Sequence, residues 1–397
     1  MAYYQPVGIY VHSELELCVK EILSFIKPTV DDIQKRESVI NELAGAIRID
    51  EKLRGASVKP FGSFISNLYS RWGDLDLSID MTQSSTSSAD RWRKIKALQK
   101  IMWALQRTGI ANNIEFVRHA RVPLIVYQSR YYNISCDISI DNQAGYVKSY
   151  ILRLISNIDE RFRELVLLIK ECAKAQHLND PKTGTLNSYS LCLLIIFHLQ
   201  TCRPAIFPPL RDLYEGSIVD DVKGHTTLRH IEDSFAAKIA RFRSQISGQR
   251  NGSSICQLLI SFFDKFSELD AKASNYVIST YTGQWRPINM HDRLLWKPQD
   301  LRIEDPFEQT ENAARAVDTE GLTMISQTFT NMHRKLSSRS APLDRTFLLN
   351  NLLRPEIKSE LERRREPNQD EFHDRVNQTQ QPQDYSAKPE SSQYRYV

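Results

Sequence analysis

The chain has 397 residues, enough for two domains and a tail built around cores that need no disulfide to hold them. Its 52 basic and 48 acidic residues leave a net charge of only +4, which excludes a protein that grips nucleic acid by bulk charge and leaves the task to local patches. Six cysteines are scattered without a C-x-x-C pair, which argues against a zinc site and a disulfide framework and points to reduced core thiols in an intracellular protein, cytoplasmic or nuclear.

From the N-terminus, Met1 to Pro6 shows neither the basic nor the apolar stretch of a secretion signal, and the longest apolar run, Leu191 to Leu199, is too short to span a bilayer. No membrane partner is expected. Helical spacing in Leu15, Val19 and Ile22, and again in Ile33, Val39, Ile40 and Leu43, predicts two helices within residues 1–49, broken near Pro28, that pack on a later helical domain. Residues 50–145 then read as a small mixed α/β palm. Val58 to Ile79 supplies a strand, the turn Phe61-Gly62-Ser63, and a second strand containing Asp74-Leu75-Asp76. Strand alternation sends Asp74 and Asp76 to one face and Leu75 to the other. Two hard oxygen ligands on one face suit a Mg²⁺ bound together with substrate phosphates, and Gly62 and Ser63 can bring backbone and hydroxyl close to a phosphate.

After a polar loop at Thr82 to Ser88, a helix is predicted with Trp92, Ile95, Leu98, Met102 and Leu105 on its apolar stripe. Its basic run Arg91 to Lys96, and the run Arg118-His119-Ala120-Arg121 further on, are the two local patches that can meet RNA, or equally a solvated helix face and a sheet edge. Strands follow around 114–117, 122–127 and 132–140. The last carries Asp137, a third carboxylate, and three acids can hold two cations, one activating an attacking oxygen and the other stabilising a leaving pyrophosphate.

Residues 146–317 read as mostly helical, with helices near 147–158, 161–176, 186–201 and 254–266. Lys170 and Lys174, four residues apart on a strongly apolar helix, present two ammonium groups on one side; spacing alone also suits a snorkelling pair. Asn187 or Ser188 caps the next helix, whose Tyr189 is placed to stack on a base or to pack as a core aromatic. His198 reads as a core histidine, and Trp285 and Trp296 as packing anchors in a loop. Residues 318–397 read as a tail that is largely disordered, apart from one helical piece from Leu343 to Arg365.

Gly62-Ser63, Asp74-x-Asp76 and the later Asp137 resemble the pattern of the DNA polymerase β-type nucleotidyltransferase superfamily. The segments Leu165 to Lys174, Gly184 to Ser190 and Ile303 to Glu308 look like the central domain of noncanonical poly(A) and poly(U) polymerases, and their wording is most similar to that of plant uridylyltransferases that tail small RNAs. The resemblance covers about residues 15 to 317. It implies an α/β plus α fold: a mixed-sheet palm packed against a mostly helical central domain, with the poly(A)-polymerase-associated segment at about 254–317 and a catalytic cleft between the two. It also implies Asp74, Asp76 and Asp137 as metal-holding catalytic residues for Mg²⁺ or Mn²⁺. The nucleotide would be held by Gly62, Ser63, Lys170, Lys174, Ser188 and Tyr189, with Asp305 and Glu308 near the base edge. Relatives commonly place Asn-Thr on the ribose where alignment puts Lys148 and Ser149. Many uridylyltransferases have a His that disfavours ATP where this chain has Glu311, and an aromatic where it has Cys172. The implied activity is uridine addition from UTP to the 3′ ends of small RNAs lacking 2′-O-methylation, promoting their decay, with Argonaute-type complexes as partners. An ATP-using poly(A) polymerase and an inactive RNA-binding scaffold are the alternatives.

Overall fold

A computed structural model describes residues 12–81, 90–214, 228–246, 250–290, 292, 299–338 and 345–364. The chain forms two units, residues 1–354 and 355–397.

In the first unit, helices α1 (His12–Ile26) and α2 (Val30–Arg48) precede a five-stranded sheet. The sheet runs β1 (Ser57–Phe61), β2 (Leu75–Asp80), β5 (Ser135–Ile140), β4 (Leu124–Ser129) and β3 (Ala111–Val117), with only the β2–β5 pair parallel. Short helix α3 (Gly62–Ser66) follows β1, and α4 (Asp90–Thr108) joins β2 to β3. Alternation along β2 decides which way the sheet faces. Leu75, Leu77 and Ile79 are fully buried and share a core with Val39, Leu43 and Ile47 of α2 and Leu98, Ile101 and Leu105 of α4. Asp76 therefore projects from the opposite face. The placement of α2 corrects the expectation that both N-terminal helices pack on the helical domain. Helix α1 lies against the later helices, whereas α2 spends its apolar stripe on the sheet, and periodicity cannot choose between two apolar surfaces.

The helical lobe contains α5 (Gln143–Ser156), α6 (Glu160–Ala175), α7 (Ser188–Thr201), α8 (Leu228–Gln245), α9 (Ile255–Lys265) and the short α10 (Leu269–Ala273). A small sheet of β6 (Tyr276–Ser279), β7 (Gln284–Pro287) and β8 (Ile303–Glu304) lies in order β7–β6–β8. Trp285, expected in a loop, stands on β7 and meets the Phe197 ring edge-on at 5.4 Å. His198 is 1% exposed with Nε2 3.3 Å from Ser261 Oγ, and burial pushes its imidazole down to about 3, so it is a neutral core residue. All six cysteines are free thiols, and no helix among the described residues is long and apolar enough to cross a membrane.

The expected tail from residue 318 is corrected as well. Helix α11 (Thr319–Leu336), capped by Asp318, packs Phe329 onto Phe262 and Phe263 with ring centroids 5.6 and 5.5 Å apart. Helix α12 (Arg345–Leu352) buries Leu348, Leu349 and Leu352, and its Arg345 clasps Glu21 at 2.9 and 3.0 Å. The single helix expected from Leu343 to Arg365 breaks before Pro355, which opens α13 (Pro355–Arg363) in the second unit. The polar loop at 82–88, Trp296 and the chain beyond 364 lie outside the described residues.

Candidate active site

At the end of β1 the backbone turns through Gly62 at φ +65, a left-handed conformation open to glycine. A Cβ built there would stand 1.9 Å from Asp76 Oδ2, so the position needs glycine for space as well as for conformation. The Gly62 N–H donates to Ser149 Oγ at 2.7 Å, and Ser149 in turn donates to the Gly145 carbonyl at 2.6 Å. The expected ribose contact at Ser149 is thus a brace for the glycine turn.

Parallel pairing of β2 with β5 sets Asp76 directly beside Asp137, and Asp74 lies just ahead of β2. Burial, then the charges of Asp137 and Asp74, push the Asp76 carboxyl up to about 7 against the opposing pull of Lys170 and the Ser63 N–H. Burial and Asp74 likewise push Asp137 up to about 6, with Lys182 opposing. Carboxyls held this high by burial and by one another are relieved when a cation joins them, and their all-oxygen chemistry fits a hard divalent ion. Among the described residues no three potential ligands are drawn tightly around one point.

Sequence reading missed the residue that sets the approach to Asp74. Arg36, 1% exposed inside α2, donates through Nη2 to the carbonyls of Gly73 (2.6 Å) and Arg71 (3.1 Å) and through Nη1 to that of Asp32 (3.0 Å). Its guanidinium lies 4.7 Å from the centre of the Tyr69 ring. Arg36→Leu strands these carbonyls and is expected to cost about 3 kcal/mol or more in urea unfolding, with loss of activity; a variant within about 0.5 kcal/mol of wild type would contradict this role.

Across from the acids, α6 and α7 form the second wall of a cleft of about 530 Å³. Gly62, Ser63 and the three acids line one side of it, and Lys148, Ser149, Lys170, Lys174, Ser188 and Tyr189 line the remainder. Lys170 Nζ donates to the Leu68 carbonyl at 3.2 Å, and burial holds Lys174 below its ordinary value, with Lys170 adding to the effect. Asn187 is the cap of α7, accepting from the Ser190 N–H at 2.8 Å. Asp305 and Glu308 do not line the cleft. Asp305 is 4% exposed and occupied: it takes Lys148 at 2.5 Å, the Tyr189 hydroxyl at 3.2 Å and the Phe307 N–H at 3.0 Å. Glu308 stands 3.5 Å from the same lysine. Asp305 thus holds both Lys148 and Tyr189 of the cleft, and Glu308 adds to its hold on the lysine. Glu311 is engaged too, in a two-point ion pair with Arg121 at 2.7 and 2.8 Å.

Residues 15–157 match the family model described as poly(A) RNA polymerase, mitochondrial-like, central palm domain. The solved structure of the Cid1 poly(U) polymerase with MgGTP superposes with a TM-score of 0.67 at 24% identity, over 85% of this chain and 98% of that one. A cytoplasmic RNA terminal U-transferase superposes equally, at 0.67 and 24%, over 87% and 100%. The fold is thus that of the polymerase β-type nucleotidyltransferases. Along most of its length the sequence is similar to noncanonical poly(A) and poly(U) polymerases. It is 48% identical to Protein HESO1 of Arabidopsis thaliana over 327 residues, 82% of this chain and 64% of that protein. It is also 27% identical to the terminal uridylyltransferase cid1 of Schizosaccharomyces pombe over 84% of this chain and 81% of that one, and 25% identical to the poly(A) RNA polymerase GLD2 of Bos taurus over 81% and 64%. The chain therefore spans just under two thirds of the length of HESO1 and of bovine GLD2.

Proposed function

We propose that this cleft adds uridines from UTP to RNA 3′ ends without a template, and that small RNAs with a free terminal 2′-hydroxyl are its substrates, marked in this way for decay. The observation that carries the reading is one cleft lined by three acids, Asp76 and Asp137 side by side on paired strands and Asp74 just ahead of the first, together with two lysines of one helix, Lys170 and Lys174. Uridine is favoured by the wording of the motifs and by the likeness to cid1, a terminal uridylyltransferase matched over most of its length.

In this reading Asp74, Asp76 and Asp137 hold divalent cations, Mg²⁺ or Mn²⁺, which when bound neutralise the triphosphate and make the attacking hydroxyl more acidic. The RNA 3′-hydroxyl loses its proton and attacks the α-phosphate, forming a new phosphodiester and releasing pyrophosphate. Asp137 helps activate that hydroxyl for attack, and the released proton passes to solvent. Ser63, Lys170 and Lys174 hold the triphosphate, leaving the protein to position and neutralise. Ser188 opens α7 on the phosphate side, and Tyr189, braced through its hydroxyl by Asp305, stacks on the base. Lys148, fixed by Asp305 and Glu308, faces the sugar. Argonaute-type complexes are the partners that would deliver such substrates.

The test is nucleotide competition on a labelled small RNA with Mg²⁺, with wild type beside Asp74→Ala/Asp76→Ala. Preferential uridine addition that disappears in the variant is expected. Adenine addition would replace this reading with the poly(A) polymerase, and RNA binding without transfer of any nucleotide would leave a scaffold.

A further inference from the structure

Helix α4 carries six basic residues and one acidic residue among its 19, more positive charge than the whole chain shows net. Its inner face is committed to the sheet through Leu98, Ile101 and Leu105. Its outer face is not what an amphipathic helix needs. Trp92 and Trp103 stand there 61% and 62% exposed, each offering an indole face that folding does not use. Eleven residues at about 100° each bring the two rings to within about 20° of one another around the helix, about 16 Å apart along it. Lys96, Lys100 and Arg107 fall on the same stripe, and Lys96 Nζ already lies 3.2 Å from the centre of the Trp92 ring.

The stripe lies on the other side of the sheet from the acids, and a series of contacts ties the start of α4 to the cleft. Arg91, at the start of α4, donates to the carbonyls of Arg118 (3.1 Å), Ala120 (2.9 Å) and Arg121 (3.0 Å), pinning the β3–β4 loop to the helix. In that loop Arg118, His119 and Arg121 are exposed, and Arg121 reaches Glu311, whose carbonyl accepts from the N–H of Asp305 at 3.0 Å. Asp305 in turn holds Lys148 and Tyr189 of the cleft. A polyanion that leaves the cleft past this loop would pass Arg118 and Arg121 and round the end of the sheet before it met the two exposed indoles.

We propose that the outer face of α4 is a second RNA-binding surface, on which single-stranded RNA upstream of the 3′ end stacks bases on Trp92 and Trp103 and lays phosphates along Lys96, Lys100 and Arg107. This rests on the reading of the cleft as the site of RNA 3′-end extension. Charge and spacing select the occupant. The two indoles are separated by lysines instead of forming one apolar patch, which suits stacked bases between phosphates and does not suit an apolar protein helix.

The test compares the full chain with Trp92→Ala/Trp103→Ala on two unstructured RNAs, one short enough to fill only the cleft and one extending well beyond it. Affinity for the long RNA is expected to fall about ten- to a hundredfold, with kcat and KM on the short one unchanged. Lys96→Gln/Lys100→Gln/Arg107→Gln should flatten the salt dependence of long-RNA binding by about 2 in log–log slope. A 4-thiouridine placed upstream should crosslink to the α4 peptide. All these side chains are exposed or half-buried, so melting temperatures serve as the folding control. Equal affinity of wild type and variant for the long RNA overturns the proposal, as does loss of binding to an acidic protein with RNA binding unmoved. Wild type that transfers nothing to either RNA, while the length-dependent loss of binding persists, overturns the reading of the cleft and leaves the surface standing.

Discussion

Asp76→Asn is expected to abolish nucleotide transfer while making the metal-free protein more stable at pH 8. The carboxyl of Asp76 is pushed from 3.8 up to about 7, chiefly by burial and then by Asp137 and Asp74. Between those values the folded protein holds a proton that the unfolded chain releases. The associated stability is therefore fully present below the ordinary carboxylate value and lost as pH rises through about 7. Keeping this carboxylate ionised beside Asp137 and Asp74 therefore strains the metal-free fold by on the order of 4 kcal/mol. Asparagine keeps the shape and removes the charge. Transfer should fall on the order of a thousandfold or more, because a lost ligand forfeits several kcal/mol of charge stabilisation. Melting curves at pH 5 and pH 8 check the thermodynamic half. Wild type should lose stability between them, the variant less, and added Mg²⁺ or Mn²⁺ at pH 8 should raise the wild-type midpoint more than that of the variant. Equal melting of the two proteins at pH 8 without metal would show that the carboxylates are not strained.

Asp74, Asp76 and Asp137 were legible as members of a pattern, a glycine before a serine, an acid pair and an acid interrupting a β-rich run, whereas their meeting in one cleft depends on the long-range parallel pairing of β2 with β5. Helical spacing placed Lys170 and Lys174 on one side of their helix, and only the motif resemblance directed them to a nucleotide. Arg36 was not legible. A lone arginine in an amphipathic helix reads as solvated, and its partners are carbonyls of Arg71 and Gly73, 35 and 37 residues away, which leave no mark in composition. Asp305 and Glu308 were found as members of a motif, but the motif does not reveal that Lys148 and Tyr189 already occupy the first of them. Helix α11 was hidden differently. Its stripe Leu322, Ile325, Phe329, Met332 and Leu336 has clean helical spacing, yet the polar residues between them dominated a reading by composition. The docking of α2 on the sheet is a tertiary choice between two apolar surfaces, which no single-helix pattern encodes.

Gly62→Ala should be nearly as damaging to transfer as loss of an acid, although it removes nothing. The added methyl would lie 1.9 Å from Asp76 Oδ2 and 2.6 Å from its Cγ, at a φ of +65 that alanine adopts only with strain. Neither partner can retreat freely. Asp76 is held on β2 between Phe61 and Asp137 in register, and Gly62 is held by its N–H to Ser149. The carboxylate must therefore swing off its position, and a displacement of about 1 Å at a reacting centre costs on the order of a hundredfold in rate. The chain should remain folded, since the sheet core of Leu75, Leu77 and Ile79 lies on the other face. Because Gly62→Ala acts through Asp76, the double variant with Asp76→Asn should be no slower than Asp76→Asn alone, whereas independent effects would multiply. Steady-state transfer rates for the four proteins of this cycle, with melting curves as the folding control, decide the matter. A Gly62→Ala enzyme of wild-type rate would show that the close approach of turn and carboxylate has no part in the chemistry.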